Sequence, residues 1–282
     1  MICIMPAGSK VGQMAIEDLI LNGADPKAII AASRTPEKLK GAKVETRRAD
    51  YCDQTSMEAA FKGVETLVLI PTMTPPARRC AEHANALSAA RTCGVKRVIF
   101  LSLLAAGATS VSAIAPFILF AENATRNSGM EWTILRMGLY LEPVAEWIPH
   151  LRRLGRMPYP VREGRVAYVS RRDVARALSA AAIANNAAGK IYSISAPEAV
   201  TMPQLADVVS RTMGVPLPFE TCSDEEFISI CFEDEPSAFI ANVLLSLYKA
   251  IELGEFDHAT SDVERLTGSP AETVQEFFHR IS

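Results

Sequence analysis

The sequence lacks the basic clusters and long apolar runs that mark several large classes of protein. Its 29 Lys and Arg residues are scattered over 282 residues, and the formal net charge is −3, so nothing in it predicts nucleic-acid binding. No segment reaches the roughly 18 apolar residues that a membrane span needs without meeting a charge or a proline. There is also no basic n-region of a signal peptide, and we therefore expect a cytoplasmic protein.

Cysteine and histidine are few, and their spacing is not that of metal ligands. The six cysteines form no C-x-x-C pair, and the four histidines lie far apart in the sequence, so we expect no metal site. Several cysteines stand inside apolar segments, which favours buried, reduced thiols.

What the chain does have is 49% hydrophobic residues, enough to bury a large core. In the first half, short apolar runs alternate with longer amphipathic stretches, as in β-α-β units. The predicted strands cover residues 2–5, 28–33, 44–49, 66–70, 97–102 and 132–135, and the predicted helices and turns cover 11–21, 36–39, 56–61 (after the cap-like Thr55), 77–92 and 117–127. This order predicts an α/β fold with a Rossmann-type doubly wound parallel sheet.

Beyond about residue 140 the pattern changes to connections rich in Arg and Pro and then to helices. The sequence predicts a strand at 166–170, a helix at 172–184, a strand at 190–195, and further helices at 202–213, after Ser223 and at 239–253. We therefore expect a Rossmann domain at 1–140 and a smaller, mostly helical C-terminal lobe at 141–282, with residues 164–195 returning to the sheet.

The first predicted strand runs into IMPAGSKVG, which keeps only part of a dinucleotide-binding loop. Gly12 stands where a glycine allows a helix to pack closely on a strand, whereas Pro6 holds the tight-turn position and Ser9 the position of close approach to phosphate. Gly8 is one place from the usual position. The helix N-terminus and Lys10 can still attract an anion, so anion binding is weakened rather than excluded.

The second predicted strand ends at Ser33 and is followed by Arg34, at the place where an NAD-binding Rossmann fold usually carries an acidic residue. An arginine at this point suits a 2′-phosphate and indicates NADP(H). The alternative is a solvent-exposed arginine at the head of a loop, and the residues alone do not decide between the two.

Six segments together resemble one family. In chain order they are IMPAGSKVG, SRTPEKLKG, VETRRADYCD, GVETLVLIP, GVKRVIFLSLL and WTILRMGLY. They resemble the NmrA-like branch of atypical short-chain dehydrogenases, and especially its NADPH:quinone oxidoreductases and triphenylmethane reductases. The similarity spans nearly the whole chain and extends to VAYVSRRDVARA and TMPQLADVVS. It implies a Rossmann domain that binds NADP(H) and a small C-terminal lobe that forms a substrate cleft.

Residue by residue, the resemblance implies a set of cofactor contacts and one residue that faces the substrate. The implied cofactor contacts are Gly8, Ser9, Lys10, Val11 and Gly12 at the pyrophosphate, Arg34 at the 2′-phosphate, Asp50 and Tyr51 near the adenine, Ile70 and Pro71 beside the cofactor, and Ser102 at the nicotinamide. Tyr140 would face the substrate. Structural alternatives exist: Asp50 can cap a helix, Pro71 can end a strand, and Tyr140 can be an interdomain packing residue.

The chain departs from the family pattern at several positions. The family loop usually reads Thr-Gly-Ala-Thr-Gly-x-x-Gly, and the positions that differ here are Met5, Pro6, Gly8 and Ser9. Asn123, preceded by Glu122, stands where relatives carry a lysine that reaches toward the nicotinamide ribose. Met137 replaces a family asparagine, and residues 103–127 contain no Tyr-x-x-x-Lys pair.

Three functions remain open at this point. The first is NADPH-dependent reduction of a quinone, enone or imine, for which the protein would mainly position the nicotinamide against the acceptor. The second is a cofactor-independent cyclase, isomerase or lyase. The third is a non-catalytic regulator that senses NADP(H). The candidate catalytic residues are Tyr140, Glu122 and Asn123, with Glu142 as a further acid or base.

The expected partner is a small apolar or aromatic substrate, and we also consider a homodimer. The residues that could line an apolar pocket are Trp147, Met157, Tyr159, Phe227, Phe232 and Phe239. Aromatic residues at such spacing are more often part of a core.

Overall fold

Strands and helices alternate along the first half of the chain, as the sequence predicts. The computed structural model describes residues 1–39, 41, 43–232 and 236–282. The elements of this half are β1 (Ile2–Met5), α1 (Lys10–Leu21), β2 (Ile29–Ser33), β3 (Glu45–Arg48), α2 (Gln54–Ala60), β4 (Thr66–Leu69), α3 (Pro76–Thr92), β5 (Arg97–Leu103), α4 (Ala115–Arg126) and β6 (Glu131–Met137). Short 3-10 turns at Pro26–Ala28 and Pro36–Leu39 flank β2.

The second half adds five short strands and seven helices within the described residues. In order they are α5 (Glu142–Leu154), β7 (Met157–Tyr159), β8 (Arg165–Val166), α6 (Arg171–Ile183), β9 (Lys190–Ile194), β10 (Val200–Thr201), α7 (Met202–Met213), β11 (Phe219–Thr221), α8 (Asp224–Cys231), α9 (Ala238–Glu252), α10 (Asp262–Thr267) and α11 (Val274–Ile281). The predicted strand at 166–170 is wrong in extent. After β8 the backbone N–H groups no longer pair with one neighbouring strand. Ala167 N–H donates to Phe256 O, and Val169 N–H donates to Leu139 O.

Seven strands form one sheet in the order β3-β2-β1-β4-β5-β6-β9. All neighbours from β3 to β6 pair in parallel, and helix α1 packs against α6 while α2 packs against α3. The predicted doubly wound sheet is therefore confirmed. The strand order reverses between β1 and β4, and the carboxyl ends of the strands at such a switch point are where ligands bind in open α/β sheets.

The start of α2 differs from the sequence prediction. Thr55 was the expected cap, but the helix begins at Gln54 and its N-cap is Asp53, whose carboxylate accepts a hydrogen bond from Ser56 N–H at 3.0 Å. An aspartate outcompetes a threonine here because its oxygen reaches the exposed N–H groups of the first turn and carries a charge that the helix N-terminus favours.

By internal packing the chain divides into two units. The first comprises Met1–Leu103, Pro116–Met137 and Arg171–Tyr192, and the second Leu104–Ala115, Gly138–Ser170 and Ser193–Ser282. The predicted functional division at residue 140 stays a prediction.

In the part of the chain that the structure describes, no helix is both long and apolar enough to cross a bilayer. Nor do the described residues include a group of three or more His, Cys, Asp or Glu that could hold a metal ion. All six cysteines are free; Cys3 is buried, Cys52 is exposed, and the other four are half-buried. The expectation of buried thiols is thus correct for Cys3 and wrong for Cys52.

Candidate functional site at the carboxyl edge of the sheet

The loop after β1 is closed on itself by a serine at the start of α1. Ser9 is the N-cap of this helix, and its hydroxyl oxygen accepts a hydrogen bond from Gly12 N–H at 3.0 Å while its O–H donates to Pro6 O at 3.0 Å. The cap uses one of the helix N–H groups that an anion would otherwise meet. An anion at this helix end therefore competes with Ser9 for the Gly12 amide.

Two glycines in this loop are packed against backbone or side-chain atoms. A Cβ on Gly12 would lie 2.6 Å from Pro6 O, which is closer than real contacts allow. A Cβ on Gly8 would lie 3.3 Å from the hydroxyl oxygen of Ser33, the last residue of β2. Gly12 therefore lets the helix approach the preceding turn, and Gly8 brings the loop beside the end of β2, directly before the exposed Arg34.

The residues of this edge fit a bound NADP(H). Gly8 is exposed and has no side chain, so its backbone is accessible to a ligand beside the end of β2. Lys10 and Arg34 are exposed cations near the helix N-terminus and the end of β2, and Val11 is buried and anchors the first turn of α1. The loop would hold the pyrophosphate, and Arg34 would hold the 2′-phosphate.

The predicted residues after β3 and β4 lie next to the ends of the central strands. The hydroxyl of Tyr51 lies 3.1 Å from Met5 O and 2.9 Å from Ile70 O, so it ties the ends of β1 and β4 together. Burial raises the pKa of Tyr51 well above its usual value. Asp50 accepts a hydrogen bond from the amide two residues later at 2.9 Å, and Pro71 is half-buried directly after Ile70.

Glu122, a predicted acid or base, is held in a buried ion pair. Its Oε1 accepts from Ser102 Oγ at 2.7 Å and from Arg136 Nε at 2.8 Å. Its Oε2 accepts from Arg136 Nη2 at 2.7 Å and from Arg126 Nη2 at 2.8 Å. The bond to Glu122 raises the pKa of Arg136. Both oxygens are occupied and the side chain is buried, whereas Asn123 is exposed. The catalytic roles of Glu122 and Asn123, and the contact of Ser102 with the nicotinamide, stay predictions.

Tyr140, the residue predicted to face the substrate, belongs to the second unit. It forms an isolated parallel bridge with Val169 and is half-buried. Glu142, the further predicted acid or base, lies in the first turn of α5 in the same unit.

Four aromatic rings of the second unit pack into one cluster. They are Trp147, Tyr159, Phe227 and Tyr248, with neighbouring ring centroids 4.8 to 6.0 Å apart. Burial raises the pKa values of Tyr159 and Tyr248. The cluster thus brings together three of the predicted aromatic residues and adds Tyr248, which the sequence reasoning missed. Of the other predicted pocket residues, Met157 is buried, and Phe232 and Phe239 are half-buried.

Sequence reasoning also missed Arg79, which lies buried in the first turns of α3. Its guanidinium carbon stands 4.9 Å from the centroid of the Phe117 ring, and its Nη2 donates to Met73 Sδ at 3.6 Å. Its Nε has no hydrogen-bond partner among the described residues. The sequence did carry a signal, because Arg79 falls on the same helical face as Ala86 and Leu87, seven and eight positions later.

A family model and a curated relative each match this chain over most of its length. The model of a family described as NAD(P)H-binding matches residues 7–185. Quinone oxidoreductase 2 of Escherichia coli (strain K12) is 29% identical over 283 residues, covering 98% of this chain and 96% of that protein.

Solved structures are similar over the full length. A crystal structure described as a nucleoside-diphosphate-sugar epimerase from Staphylococcus aureus has a TM-score of 0.92 at 30% identity and covers 99% of both chains. The Citrobacter sp. triphenylmethane reductase complexed with NADP(H) has a TM-score of 0.89 at 26% identity, covering 100% of this chain and 99% of that one. Both comparisons agree with the Rossmann-like fold described above.

Proposed function

We propose that this chain, which belongs to the NAD(P)H-binding family, is an NADPH-dependent reductase of small conjugated acceptors, with quinones as the best candidates and enones and imines as further ones. The full-length similarity to a quinone oxidoreductase and to a triphenylmethane reductase supports this proposal. The observation that carries it is the exposed Arg34 directly after β2, beside the closely packed loop that follows β1.

Arg34 supports NADPH over NADH as the cofactor. The contact between Gly8 and Ser33 brings the loop next to the end of β2, where Arg34 is the following residue. A guanidinium at this point can form paired, charge-assisted hydrogen bonds to a 2′-phosphate. NADH has a hydroxyl there and gains no such interaction.

The side chains near the end of β5 favour an acceptor that needs no acid from the protein. When bound, NADPH supplies a hydride, and the protein contributes mainly orientation and exclusion of water. The Ser102 hydroxyl donates its hydrogen bond to Glu122, and the Asn123 side chain carries no acidic proton. A quinone suits these residues because, once it has received a hydride, it can take the remaining proton from water to give the hydroquinone.

The aromatic cluster of the second unit supports an apolar, aromatic acceptor. Tyr159 and Phe227 are buried, and they contact Trp147 and Tyr248, which are half-buried. Part-exposed aromatic rings favour contact with flat conjugated ligands. Tyr140 is the residue that we expect to orient the acceptor.

The test is NADPH oxidation by the purified protein with menadione, cyclohexenone and a triphenylmethane dye, against heat-inactivated protein as background. We expect turnover with menadione and a preference for NADPH over NADH. Arg34→Ala should weaken NADPH binding about tenfold or more, because it removes a charge-assisted contact, and should leave NADH binding unchanged. Arg91→Ala, which removes an exposed arginine at the end of α3, is the matched control.

Two results would contradict the proposal in different ways. NADPH binding without turnover of any acceptor would indicate a sensor of NADP(H). No binding of NADPH at all would indicate cofactor-independent chemistry.

A further inference from the structure

Arg79 is a buried cation with incomplete partners, and we infer that it binds an anionic oxygen of a ligand at the carboxyl end of β4. The inference rests on the proposed function to the extent that the cofactor and the acceptor are the two sources of such an oxygen. The interaction itself is a property of the residues around Arg79.

The first step is the cost of burying this guanidinium. Arg79 is 3% exposed, and a guanidinium is charged at every physiological pH and presents five N–H donors. Its partners here are the face of the Phe117 ring and the sulfur of Met73, and the Nε has none among the described residues. A thioether is a weak acceptor, so the positive charge is poorly compensated.

The second step is that the nearest carboxylate is used by other groups. Glu82 follows Arg79 by three residues on α3 and is buried, and its charge favours the protonated form of Arg79 from a distance. Its oxygens, however, accept hydrogen bonds from other donors. These donors are Thr72, Thr74, Arg78 and the Cys52 thiol. Glu82 thus forms its close ion pair with Arg78, at 3.0 Å.

The third step concerns His83, which lies on the same side of α3 but adds no negative charge. Burial lowers the pKa of His83 to about 4, so it is neutral at physiological pH. Its Nε2 lies 2.9 Å from Thr125 Oγ1, and its ring packs on Phe100. The charged side chains Arg78, Arg79 and Glu82 therefore leave this region with one net positive charge.

The fourth step is position. A cavity of about 10 Å³, room for one oxygen atom, lies at the carboxyl end of β4 and is lined by Arg79, Tyr51, Thr72 and Glu82. The Glu82 carboxylate is neutralised there by its ion pair with Arg78. Strand β4 neighbours β1 at the switch point of the sheet, where ligands bind in open α/β folds. Met73, whose sulfur contacts the guanidinium, is 68% exposed. A ligand oxygen that replaces this sulfur would complete the coordination of Arg79.

The first experiment uses inorganic pyrophosphate as the probe and needs no reductase activity. Thermal unfolding of the wild-type protein is measured with pyrophosphate and with sodium chloride at matched ionic strength. We expect pyrophosphate to raise the Tm, since a ligand of the folded state stabilises it, and Arg79→Met to lower that rise measurably, the remainder coming from pyrophosphate bound at the loop after β1. Methionine keeps the length of the stem that packs on Phe117. The control Arg91→Met, on the same helix, should keep the rise.

The second experiment separates the two sources of the oxygen. If the cofactor supplies it, Arg79→Met weakens NADPH binding about tenfold or more and leaves the relative kcat/KM of charged and neutral quinones unchanged. If the acceptor supplies it, NADPH binding stays within about twofold, while kcat/KM for 1,2-naphthoquinone-4-sulfonate falls about tenfold relative to menadione. Arg79→Lys, which keeps the charge and loses the paired geometry, should lie between the wild type and Arg79→Met.

The inference is overturned if a folded Arg79→Met protein retains the pyrophosphate effect, the NADPH affinity and the ratio of the two quinones. Should that variant fail to fold, Arg79→Lys must show a partial loss of at least one of the three, or the inference is equally wrong. Loss of the pyrophosphate effect in a protein that reduces no quinone would refute the proposed function and leave the anion site standing.

Discussion

Two arginines of the first unit differ in what surrounds them. The guanidinium of Arg136 meets both oxygens of the buried Glu122, at 2.8 and 2.7 Å. Arg79, which is more deeply buried, meets a thioether and an aromatic ring. Arg136 is therefore part of a complete buried ion pair, whereas Arg79 is an incompletely paired cation.

This difference indicates that the Arg136–Glu122 pair contributes to the stability of the fold and that Arg79 contributes to ligand binding. Removing one partner of a buried ion pair leaves an uncompensated charge and is strongly destabilising. Removing Arg79, which has no carboxylate in a close ion pair with it, leaves no unpaired charge behind. Loss of Arg136 or Glu122 should therefore damage the fold, whereas loss of Arg79 should damage ligand binding.

The largest expected effect is the loss of stability on breaking the Arg136–Glu122 ion pair. Glu122→Leu leaves two arginines without their acceptor and should lower the free energy of unfolding by about 3 kcal/mol, near the lower end for buried pairs because Arg136 is part-exposed. Arg79→Met should change it by less than about 1 kcal/mol, since no ion pair is broken. Urea denaturation measures both, with Glu131→Gln on the exposed end of β6 as the control. Equal losses for Glu122→Leu and Arg79→Met would break the comparison.

The next effect tests whether the surroundings of Arg79 tolerate a second buried charge. Burial lowers the pKa of His83 from 6.5 to about 4 in the folded protein, so between these values the unfolded chain binds a proton that the folded chain does not. The stability from neutral His83 is complete above pH 6.5 and is lost as pH falls through about 4. This lowering of the His83 pKa corresponds to about 3 kcal/mol of stability.

Urea denaturation at several pH values checks this prediction. His83→Gln should flatten the dependence in this window, and His258→Gln, which alters an exposed histidine, should leave it unchanged. An identical pH dependence in the wild type and His83→Gln would contradict the assignment.

A smaller loss of stability is expected from changes in the loop after β1, and these variants also show how much the loop contributes to anion binding compared with Arg79. Gly12→Ala forces a Cβ to 2.6 Å from a backbone carbonyl and should lower the free energy of unfolding by about 2 kcal/mol. Gly8→Ala meets a serine hydroxyl at 3.3 Å, which can rotate away, so its cost should be smaller. Denaturation curves give the two costs, and NADPH titration shows whether Gly12→Ala weakens binding as much as Arg79→Met. Equal stability of the two alanine variants would refute the packing role of Gly12.

The smallest effect on stability is expected at Ser9. Ser9→Gly frees the Gly12 amide and should cost only a few tenths of a kcal/mol, while NADPH affinity rises about threefold through one additional backbone hydrogen bond. Calorimetry of Ser9→Gly, Arg79→Met and the double variant sharpens the comparison. Independent sites give additive free energies, and strong non-additivity would mean that both residues touch the same part of the ligand.

The order of strands and helices could be predicted from the sequence because parallel strands are continuous apolar runs separated by amphipathic helices. The strand at 166–170 was predicted too long, since its apolar residues are buried by tertiary contacts and only Arg165–Val166 pairs with another strand. Apolar composition reports burial, and burial alone does not imply a sheet partner.

The site was less predictable for a related reason. The glycine at position 12 has a local signature, and its close packing follows from the turn before it. The hydrogen bonds from Arg136 to Glu122 form because α4 and β6 lie next to each other in the fold. No local sequence pattern predicts that contact. Arg79 stands in an Arg-Arg pair that suggests a solvated surface, and only the periodicity of α3 separates it from its exposed neighbour Arg78.

The exposed thiol of Cys52 provides a practical handle on this region. Burial raises the pKa values of Cys3 and Cys231 to about 12 and those of Cys80, Cys93 and Cys222 above their usual value, which slows their reaction at neutral pH. A maleimide dye should therefore label Cys52 selectively. Because its sulfur lies 3.4 Å from Arg78 Nη2, one position before Arg79, the dye would report by fluorescence on events at the end of β4 in an otherwise unmodified chain.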